Sequence, residues 1–583
     1  MEWNNLYKHI IYKFAKKSMG KNIQIWIALL LVVGLKGQTT TWNGTAWSAG
    51  VPNANVDAII NGNYNVSANI AAKNFTINFG HTFTIAEGFR LLISGDFVNN
   101  GTIVVNNDAI LTQLSDTSTY SGSGNAIVKR ESNLRKNDYT FWSSPVSGQN
   151  LYNFSVGTPT NYFFRYNEPD DRFVTLGLNT TSVFEPGVGY AIKGKNTYST
   201  TTPVNEIFTF NGIPNNGNIS VTLRRSTGLD KGYNLVGNPY PSNIAFKVVY
   251  NNAGNKNSIF NKQWFWTNLN EIISQQGSNY SGNNYATFVS GVGGVGPTYI
   301  SGSIEEITLR PLSYTKSSQG FLVQARRNNA ILTFTNSMRV STTTGSIFYN
   351  KSEDDEPEEE ILNRYWLKFI NPDNIANNIL IAHIPEATND FDEDYDSSLF
   401  TLGSDSFYSV IGTNKLQIQA RALPIQDSDV IILGYKNSKQ GTCVIALNDK
   451  EGVFKDSSKA IYLKDKLTGT VTNLQQGYYT FTSDVVTVEN ETRFEILYAN
   501  DVLAAGNVTK EDLLVYKQND ALMVKNNFNI SKAELFDASG KLITSLSGNN
   551  TKEIKLSTVG FVKGVYILKI TSEKGITTKK VIL

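Results

Sequence analysis

The sequence predicts an all-β protein built from several modules. Its 583 residues include 46 glycines and 11% aromatic residues, and its apolar positions fall in short alternating runs without sustained helical periodicity. A chain of this length can form several domains, each with its own core. Cys443 is the only cysteine, which excludes an intramolecular disulfide. Because Cys443 lies in a strand pattern, we predict that it is a small buried apolar residue.

The first module, residues 38–125, is predicted to be a short β-solenoid. Its strand-like segments are 75–77, 82–85, 90–93 and 102–105. The glycines between them are Gly80, Gly88, Gly95 and Gly101. Short strands with regularly spaced small residues at their corners are typical of stacked rungs. A plain β-sandwich is the alternative interpretation.

Residues 126–345 are predicted to form a β-rich middle domain. The segment 237–241, Gly-Asn-Pro-Tyr-Pro, indicates a tight turn, because its two prolines fix φ and exclude a helix. The aromatic candidates for glycan stacking in this domain are Trp142, Tyr240, Trp264 and Trp266. An aromatic platform can bind the apolar face of a sugar ring. The alternative places these side chains in the core, which we favour because aromatic residues dominate protein cores.

An acidic run, residues 346–360, is predicted to be a linker, because like charges repel and cannot pack. A β-sandwich domain is expected at 361–500. Within it, Asp392, Asp394 and Asp396 alternate and are weak candidates for Ca²⁺ ligands. The segment lacks the glycine and glutamate of an EF-hand loop, so a solvated acidic turn is favoured. We expect no cofactor beyond weak calcium binding.

The last module, residues 507–583, is predicted to be an Ig-like β-sandwich. Strand-like runs alternate with turns at 537–540 and 561–564, the pattern of an antiparallel sheet that folds back on itself. Two runs stand out, Ala-Glu-Leu-Phe-Asp-Ala-Ser-Gly-Lys-Leu-Ile at 533–543 and Gly-Val-Tyr-Ile-Leu-Lys-Ile at 564–570. The basic, apolar sequence Lys-Lys-Val-Ile-Leu follows at 579–583.

In this order, these motifs resemble the C-terminal sorting domain of the type IX (Por) secretion system of Bacteroidetes. The family often opens with Pro-Asn-Pro, which is not present here. The resemblance implies export across the outer membrane, with the type IX machinery and its sortase as partners. The residues that it assigns to the sorting signal are Gly540, Lys541, Gly564, Val565, Tyr566, Lys579 and Lys580. The middle domain is similar to recurrent pieces of Flavobacteria sorting-domain proteins at 139–146, 232–242 and 318–325.

Residues 1–37 are predicted to be a secretory signal peptide. Five lysines from Lys8 to Lys21 precede a short apolar run at 23–35, which is the order of such a leader. Cleavage is expected between Gly37 and Gln38. The apolar run is shorter than the about 20 residues that a membrane-spanning helix needs. No later stretch approaches that length, so we predict no transmembrane segment in the mature chain.

The charge distribution argues against nucleic acid as a partner. The chain has a net charge of +2, and residues 1–37 and 508–583 each carry +5, so residues 38–507 carry −8. A mildly acidic protein offers no general attraction to nucleic acid or to anionic lipid.

The motifs of common enzyme classes are missing from the sequence. The three histidines, His9, His81 and His383, stand apart, and no His-Glu-x-x-His, Gly-x-Ser-x-Gly or Cys/His cluster occurs. We therefore expect an adhesin-like or structural protein at the cell surface or outside the cell, and no enzyme. A carbohydrate-binding accessory protein, with surface polysaccharide as its partner, is the alternative. A glycoside hydrolase comes third, because its carboxylate pair leaves no short motif.

Overall fold

The computed structural model describes residues 38–228, 231–268, 284–304, 306, 310–342, 362–400, 402–499, 513–518 and 521–583. The predicted leader, 1–37, and the predicted acidic linker, 346–360, lie outside these residues. The chain divides into two compact units between Tyr498 and Ala499. We call residues up to Tyr498 unit 1 and the remainder unit 2.

Unit 1 begins with a β-solenoid, which confirms the prediction. Its strands are β1 Thr39–Trp42, β2 Asp57–Ile60, β3 Tyr64–Val66, β4 Ile70–Ala72, β5 Phe75–Ile77, β6 Thr82–Ile85, β7 Arg90–Ile93, β8 Phe97–Asn99, β9 Thr102–Val105, β10 Ile110–Gln113, β11 Tyr120–Ser121 and β12 Asn125–Leu134. They form parallel sheets β1-β2-β5-β8-β11, β4-β7-β10 and β3-β6-β9-β12. β1 and β2 pair within the first sheet. From β2 onward, successive strands enter different sheets and every third strand returns to the same one, so the chain winds in stacked rungs.

Alternation along each short strand sends one set of side chains into the solenoid interior. Ile60, Ile77 and Phe83 are fully buried there. Phe75 packs edge to face against Phe97 of the next rung, with their ring centroids 5.7 Å apart. On the edge that does not pair with β9, β12 pairs antiparallel with a strand of the middle region. This pairing joins the solenoid to the rest of unit 1.

The middle region consists of several small sheets and two short helices. Its elements are β13 Tyr139–Trp142, β14 Val146–Ser147, β15 Phe163–Asn167, β16 Arg172–Thr175, β17 Tyr190–Lys193, β18 Val204–Pro214, β19 Ile219–Leu223, β20 Tyr233–Gly237, β21 Asn243–Ala245, α1 Phe246–Asn251, α2 Ala253–Lys256, β22 Lys262–Trp266, β23 Tyr285–Val289, β24 Gly293–Val295, β25 Tyr299–Ile300, β26 Tyr314–Thr315, β27 Gly320–Gln324, β28 Ala330–Phe334 and β29 Arg339–Val340. The largest sheets are β13-β17-β15-β16 and β20-β27-β22-β23-β24. Neither helix exceeds six residues.

The predicted turn after β20 is held by one buried amide. Asn238 Nδ2 donates to the carbonyl oxygens of Ser242, at 2.7 Å, and of Thr315, at 3.1 Å. Asn238 Oδ1 accepts the backbone N–H of Tyr240. A buried turn needs such partners because its backbone groups have no access to water.

The last region of unit 1 is one large sheet that encloses a core of its own, and a second buried cluster packs this sheet against the middle region. Its strands are β30 Asn363–Ile370, β31 Ile375–His383, β32 Ser397–Ser398, β33 Ser406–Ile411, β34 Asn414–Arg421, β35 Val430–Asn437, β36 Gly441–Lys450, β37 Tyr462–Asp465, β38 Thr470–Asn473, β39 Tyr479–Ser483 and β40 Val486–Leu497. β39 and β40 lie far apart in strand order, yet Phe481 and Phe494 meet with ring centroids 4.8 Å apart. The sheet therefore curves around its core as a sandwich. Cys443 is buried in that core, as predicted.

Unit 2 is a five-stranded antiparallel sheet. Its strands are β41 Leu513–Gln518, β42 Ala521–Asp537, β43 Leu542–Ser557, β44 Val565–Ser572 and β45 Gly575–Ile582. The sequence suggests two strands, 521–524 and 532–536, where the structure has the single strand β42. The register with β43 shifts between Lys525 and Ile530. Such an irregularity bends a strand, so β42 continues as one strand without an intervening turn. Leu522, Leu535 and Leu568 lie in the shared core.

Among the described residues, no helix combines the length and the apolar character needed to cross a membrane.

Candidate functional site

The segment 564–566 of the predicted sorting signal pairs with the end of the chain. Val565 lies opposite Ile582, and Tyr566 lies opposite Val581. The backbones of Gly564 and Leu583 exchange hydrogen bonds of 3.1 and 3.0 Å. The motifs at 564–570 and 579–583, which are separated by eight residues in the sequence, are therefore side by side in the sheet.

The turn that contains Gly540 and Lys541 of the predicted sorting signal lies next to this pair of strands. Asp537 is paired with Tyr566 on the other side of β44. Asp537 Oδ1 accepts the backbone N–H groups of Ser539, at 2.9 Å, and Lys541, at 3.0 Å, and Gly540 has a φ of +84°. A positive φ suits glycine, which has no Cβ to clash with the backbone. The Gly540–Lys541 turn thus lies at the same end of the sheet as Tyr566.

The surface around these motifs is apolar and basic. Val562 and Val565 are 78% and 38% exposed, and Lys541, Lys579 and Lys580 are exposed as well. Tyr566 is buried, and its hydroxyl donates to the carbonyl oxygen of Val562 at 2.7 Å. The structure therefore brings all seven predicted sorting residues onto adjacent strands and one turn. Gly37 lies outside the described residues, and Gln38 is the first residue within them.

The aromatic candidates for glycan stacking are buried. Trp142, Tyr240, Trp264 and Trp266 are 2%, 0%, 2% and 1% exposed. Trp142 packs against Phe208, with ring centroids 5.0 Å apart. A sugar cannot reach any of these ring faces without opening the core, so the stacking hypothesis is wrong for these four side chains. They dominate the core, as the alternative interpretation predicts.

The three aspartates considered for calcium do not converge on a common point. Asp392 Oδ2 accepts the backbone N–H of Thr388 at 2.6 Å. Asp394 forms an ion pair with Arg326 of the middle region. Asp396 is fully buried and accepts the backbone N–H of Ala420 at 2.8 Å. Across the described part of the chain, no group of three or more His, Cys, Asp or Glu side chains is placed to hold a metal ion.

Asp396 instead belongs to a buried ionic cluster between the middle region and the sandwich. Burial raises the pKa of Asp396 to about 7. Burial also lowers the pKa of Lys262 to about 8, against the attraction of Asp396 and Asp394. Both shifts arise because a charge in an apolar interior loses its hydration. The acidic segment therefore contributes to the contact between two regions of unit 1.

A groove of about 520 Å³ opens beside β18, and the sequence does not predict it. One wall is the loop from Gly148 to Val156, and the other is formed by β18 from Glu206 to Asn211. Lys195 contributes to the lining and forms an ion pair with Glu206. The buried aromatics Phe154 and Phe208 contribute the apolar part of the lining. The groove lies next to the cluster that buries Trp142.

The fold and these surfaces define a modular all-β protein with a solenoid, a sandwich and a separate C-terminal β unit. Residues 35–498 match the model of a family described as a domain of unknown function, DUF8693. Because this match covers well over half of the chain, the protein belongs to that family. Residues 503–583 match a second model, described as a domain of unknown function, DUF8694.

Comparison with other proteins gives little beyond the family. No curated protein matches the chain. Among solved structures, a β-D-glucuronidase from Dictyoglomus thermophilum is similar, at 12% sequence identity and a TM-score of 0.11. The alignment covers 39% of this chain and 44% of that one. A likeness this slight carries no argument about fold or function.

Proposed function

We propose that this protein is exported by a type IX secretion system and acts at the cell surface or outside the cell as an adhesin-like or structural module. Unit 2 is the sorting domain in this proposal, and unit 1 is the passenger. The supporting observation is the juxtaposition in unit 2 of the Gly540–Lys541 turn, the segment 564–566 and the chain end. Lys541, Lys579 and Lys580 are exposed there, so a secretion machine could contact these parts of the proposed signal together.

The architecture of unit 1 fits an extracellular role. It combines a solenoid, several β-rich sheets and a sandwich without any disulfide. Packing and strand pairing hold these parts together without a covalent cross-link, which is compatible with a passenger that folds before it crosses the outer membrane. The resemblance to type IX substrates implies this order of folding and export.

Cell fractionation tests the export route. The full chain and a chain ending at residue 507 are expressed in a host with a type IX system, and mass spectrometry defines the termini of the exported forms. We expect the full chain at the surface or in the medium without its last ~75 residues, a length that is about one small domain. We expect the shorter chain in the periplasm. If both chains reach the same compartment and the C-terminus stays attached, the sorting proposal is wrong.

A further inference from the structure

We infer that the groove between the 148–156 loop and β18 is a binding site for a neutral saccharide of one or two sugar rings. The inference adds a ligand class to the adhesin-like role proposed for unit 1. It rests on side chains other than the buried aromatics that the sequence suggests. It is also independent of unit 2. The export proposal can therefore be wrong while the saccharide-binding inference is correct, and the saccharide-binding inference can be wrong while the export proposal is correct.

The loop wall is held in place by two amide side chains. Gln149 Oε1 accepts the backbone N–H of Asn211 at 2.6 Å, and its Nε2 donates to the carbonyl oxygen of Asn150 at 2.8 Å. Asn150 Oδ1 accepts the backbone N–H of Asn153 at 2.8 Å, and its Nδ2 donates to the carbonyl oxygen of Thr180 at 2.7 Å. A site that is fixed before binding loses little conformational entropy when the ligand arrives.

Three polar side chains in the groove are available to a ligand. Asn153, Thr209 and Asn211 line it, and within the described residues their side chains form no hydrogen bond with the protein. Each amide can donate and accept at once, and the threonine hydroxyl can do the same. Neighbouring hydroxyl groups of a sugar ring have the same dual capacity. The polar lining therefore matches a polyhydroxylated ligand.

The backbone of β18 adds further hydrogen-bonding groups. The N–H of Asn211 points away from β12, because Gln149 accepts it, and alternation gives Ile207 and Thr209 the same orientation. On this side β14 pairs with β18 at Ile213 and Pro214 only. A short stretch of strand edge is thus open beside the groove, and Gln149 closes it at one end. A closed, short edge suits a small ring better than a long extended peptide.

The charged pair in the groove favours a neutral ligand. Glu206 accepts hydrogen bonds from both Lys195 and Tyr198, so its two oxygens are occupied. Lys195 Nζ also lies 5.7 Å from the centre of the Phe208 ring. A charged ligand would have to compete with an ion pair that is already satisfied. Glu206 is the only carboxylate among the described lining residues, so we assign ligand binding and no catalytic step to the groove.

Two exposed aliphatic side chains complete the match. Val156 and Ile207 line the groove and are 72% and 53% exposed. A sugar ring carries apolar C–H faces as well as hydroxyl groups, and these faces can cover the aliphatic side chains. The volume of about 520 Å³ falls within the range of small-ligand pockets, about 300–1,000 Å³.

The test is titration of the purified mature chain with a panel of neutral saccharides. Cellobiose, maltose, xylobiose and mannobiose at millimolar concentration are followed by saturation-transfer NMR and calorimetry. We expect at least one to bind, and we expect Asn153→Ala and Asn211→Ala each to weaken binding about three- to tenfold, the effect of one lost hydrogen bond. Both side chains are exposed, so neither change threatens the fold.

The matched control is Asn205→Ala. Asn205 is an exposed asparagine on the same strand, but it bonds to Asn133 and does not line the groove, so its removal should leave affinity unchanged. A short Thr-Val repeat peptide serves as the competing ligand. Binding of that peptide without any saccharide overturns the inference in favour of strand addition. No binding by any saccharide, or equal affinity in wild type and both groove variants, overturns it as well.

Discussion

At the scale of single residues, His383 is a buried titratable group at the sandwich core. It is 1% exposed, and its Nε2 lies 2.6 Å from the hydroxyl of Tyr498. That hydroxyl in turn lies 3.0 Å from the hydroxyl of Tyr365. Burial lowers the pKa of His383 to about 4, because the charged imidazolium would lose its hydration. The unfolded chain should titrate near the ordinary value of about 6.5.

The lowered pKa of His383 predicts a loss of stability in acid. A depressed folded-state pKa stabilises the protein above the unfolded value, and this contribution disappears as the pH falls from about 6.5 through about 4. The difference in pKa corresponds to a decrease in the free energy of unfolding on the order of 3 kcal/mol. We expect His383→Gln to lose less stability over this range than the wild type. Urea unfolding at several pH values measures the two slopes.

His81→Gln is the control for this comparison. His81 lies in the solenoid, outside the network of His383, so the variant keeps the contribution of His383 to the acid dependence. Carboxylates titrate in the same range in all three proteins, so only the difference between slopes reports on His383. Equal slopes in wild type and His383→Gln would contradict the assignment.

At the scale of elements, the solenoid depends on glycine where rungs approach closely. A Cβ on Gly101 would lie 2.3 Å from the carbonyl oxygen of His81 and 2.7 Å from that of Asn78. Both atoms belong to the backbone of the preceding rung, which cannot move without disturbing strand pairing. The glycine is therefore required by the close approach of two rungs.

Gly101→Ala should destabilise unit 1 by about 1–3 kcal/mol, the usual cost of forcing an extra carbon into a packed site. Chemical denaturation followed by tryptophan fluorescence measures the change. The control is Gly177→Ala, because a Cβ at Gly177 meets no atom within 4 Å. That variant should be neutral or slightly more stable, since alanine restricts the unfolded chain. Equal stability of the two variants would show that the rungs adjust freely.

The elements differ in how far the sequence determines them. The segments 75–77, 82–85, 90–93 and 102–105 are strands at the predicted bounds, because short-range alternation and corner glycines specify them locally. Nothing local indicates that β12 pairs with β18, or that β31 runs parallel to β34. Those pairings join segments far apart in the chain, and they decide which faces are covered.

The same distinction separates the predicted sites from the observed ones. The aromatic residue type suggests both a stacking platform and a core, and only the pairing of β22 within its sheet shows that Trp264 and Trp266 are enclosed. The groove is invisible in the sequence because its walls, near Asn153 and Asn211, are more than 50 residues apart. The motifs of the proposed sorting signal are easier to find, since they occupy neighbouring strands of one small unit.

At the scale of the whole molecule, the two units have separate cores. The buried cluster of unit 2 is formed by its own strands, including Val524, Ile554 and Ile570. Within the described residues, the clusters of unit 1 contain side chains from before residue 499 only. The two family models divide the chain at nearly the same place, at 498 and 503. Among the described residues, each unit therefore has buried clusters made of its own side chains.

A chain of residues 38–498 should therefore unfold at the same temperature as unit 1 does in the longer chain. Hydrophobic burial provides most of the stability of a domain, and removing unit 2 takes no side chain out of the cores of unit 1. Differential scanning calorimetry of the two chains makes the comparison, and the transition that survives truncation is assigned to unit 1. A lower melting temperature for the shorter chain would mean that unit 2 stabilises unit 1 directly, so removal of the proposed sorting domain would weaken the remaining protein. An unchanged transition is the expected result, and it is compatible with the proposal that unit 2 is removed after export.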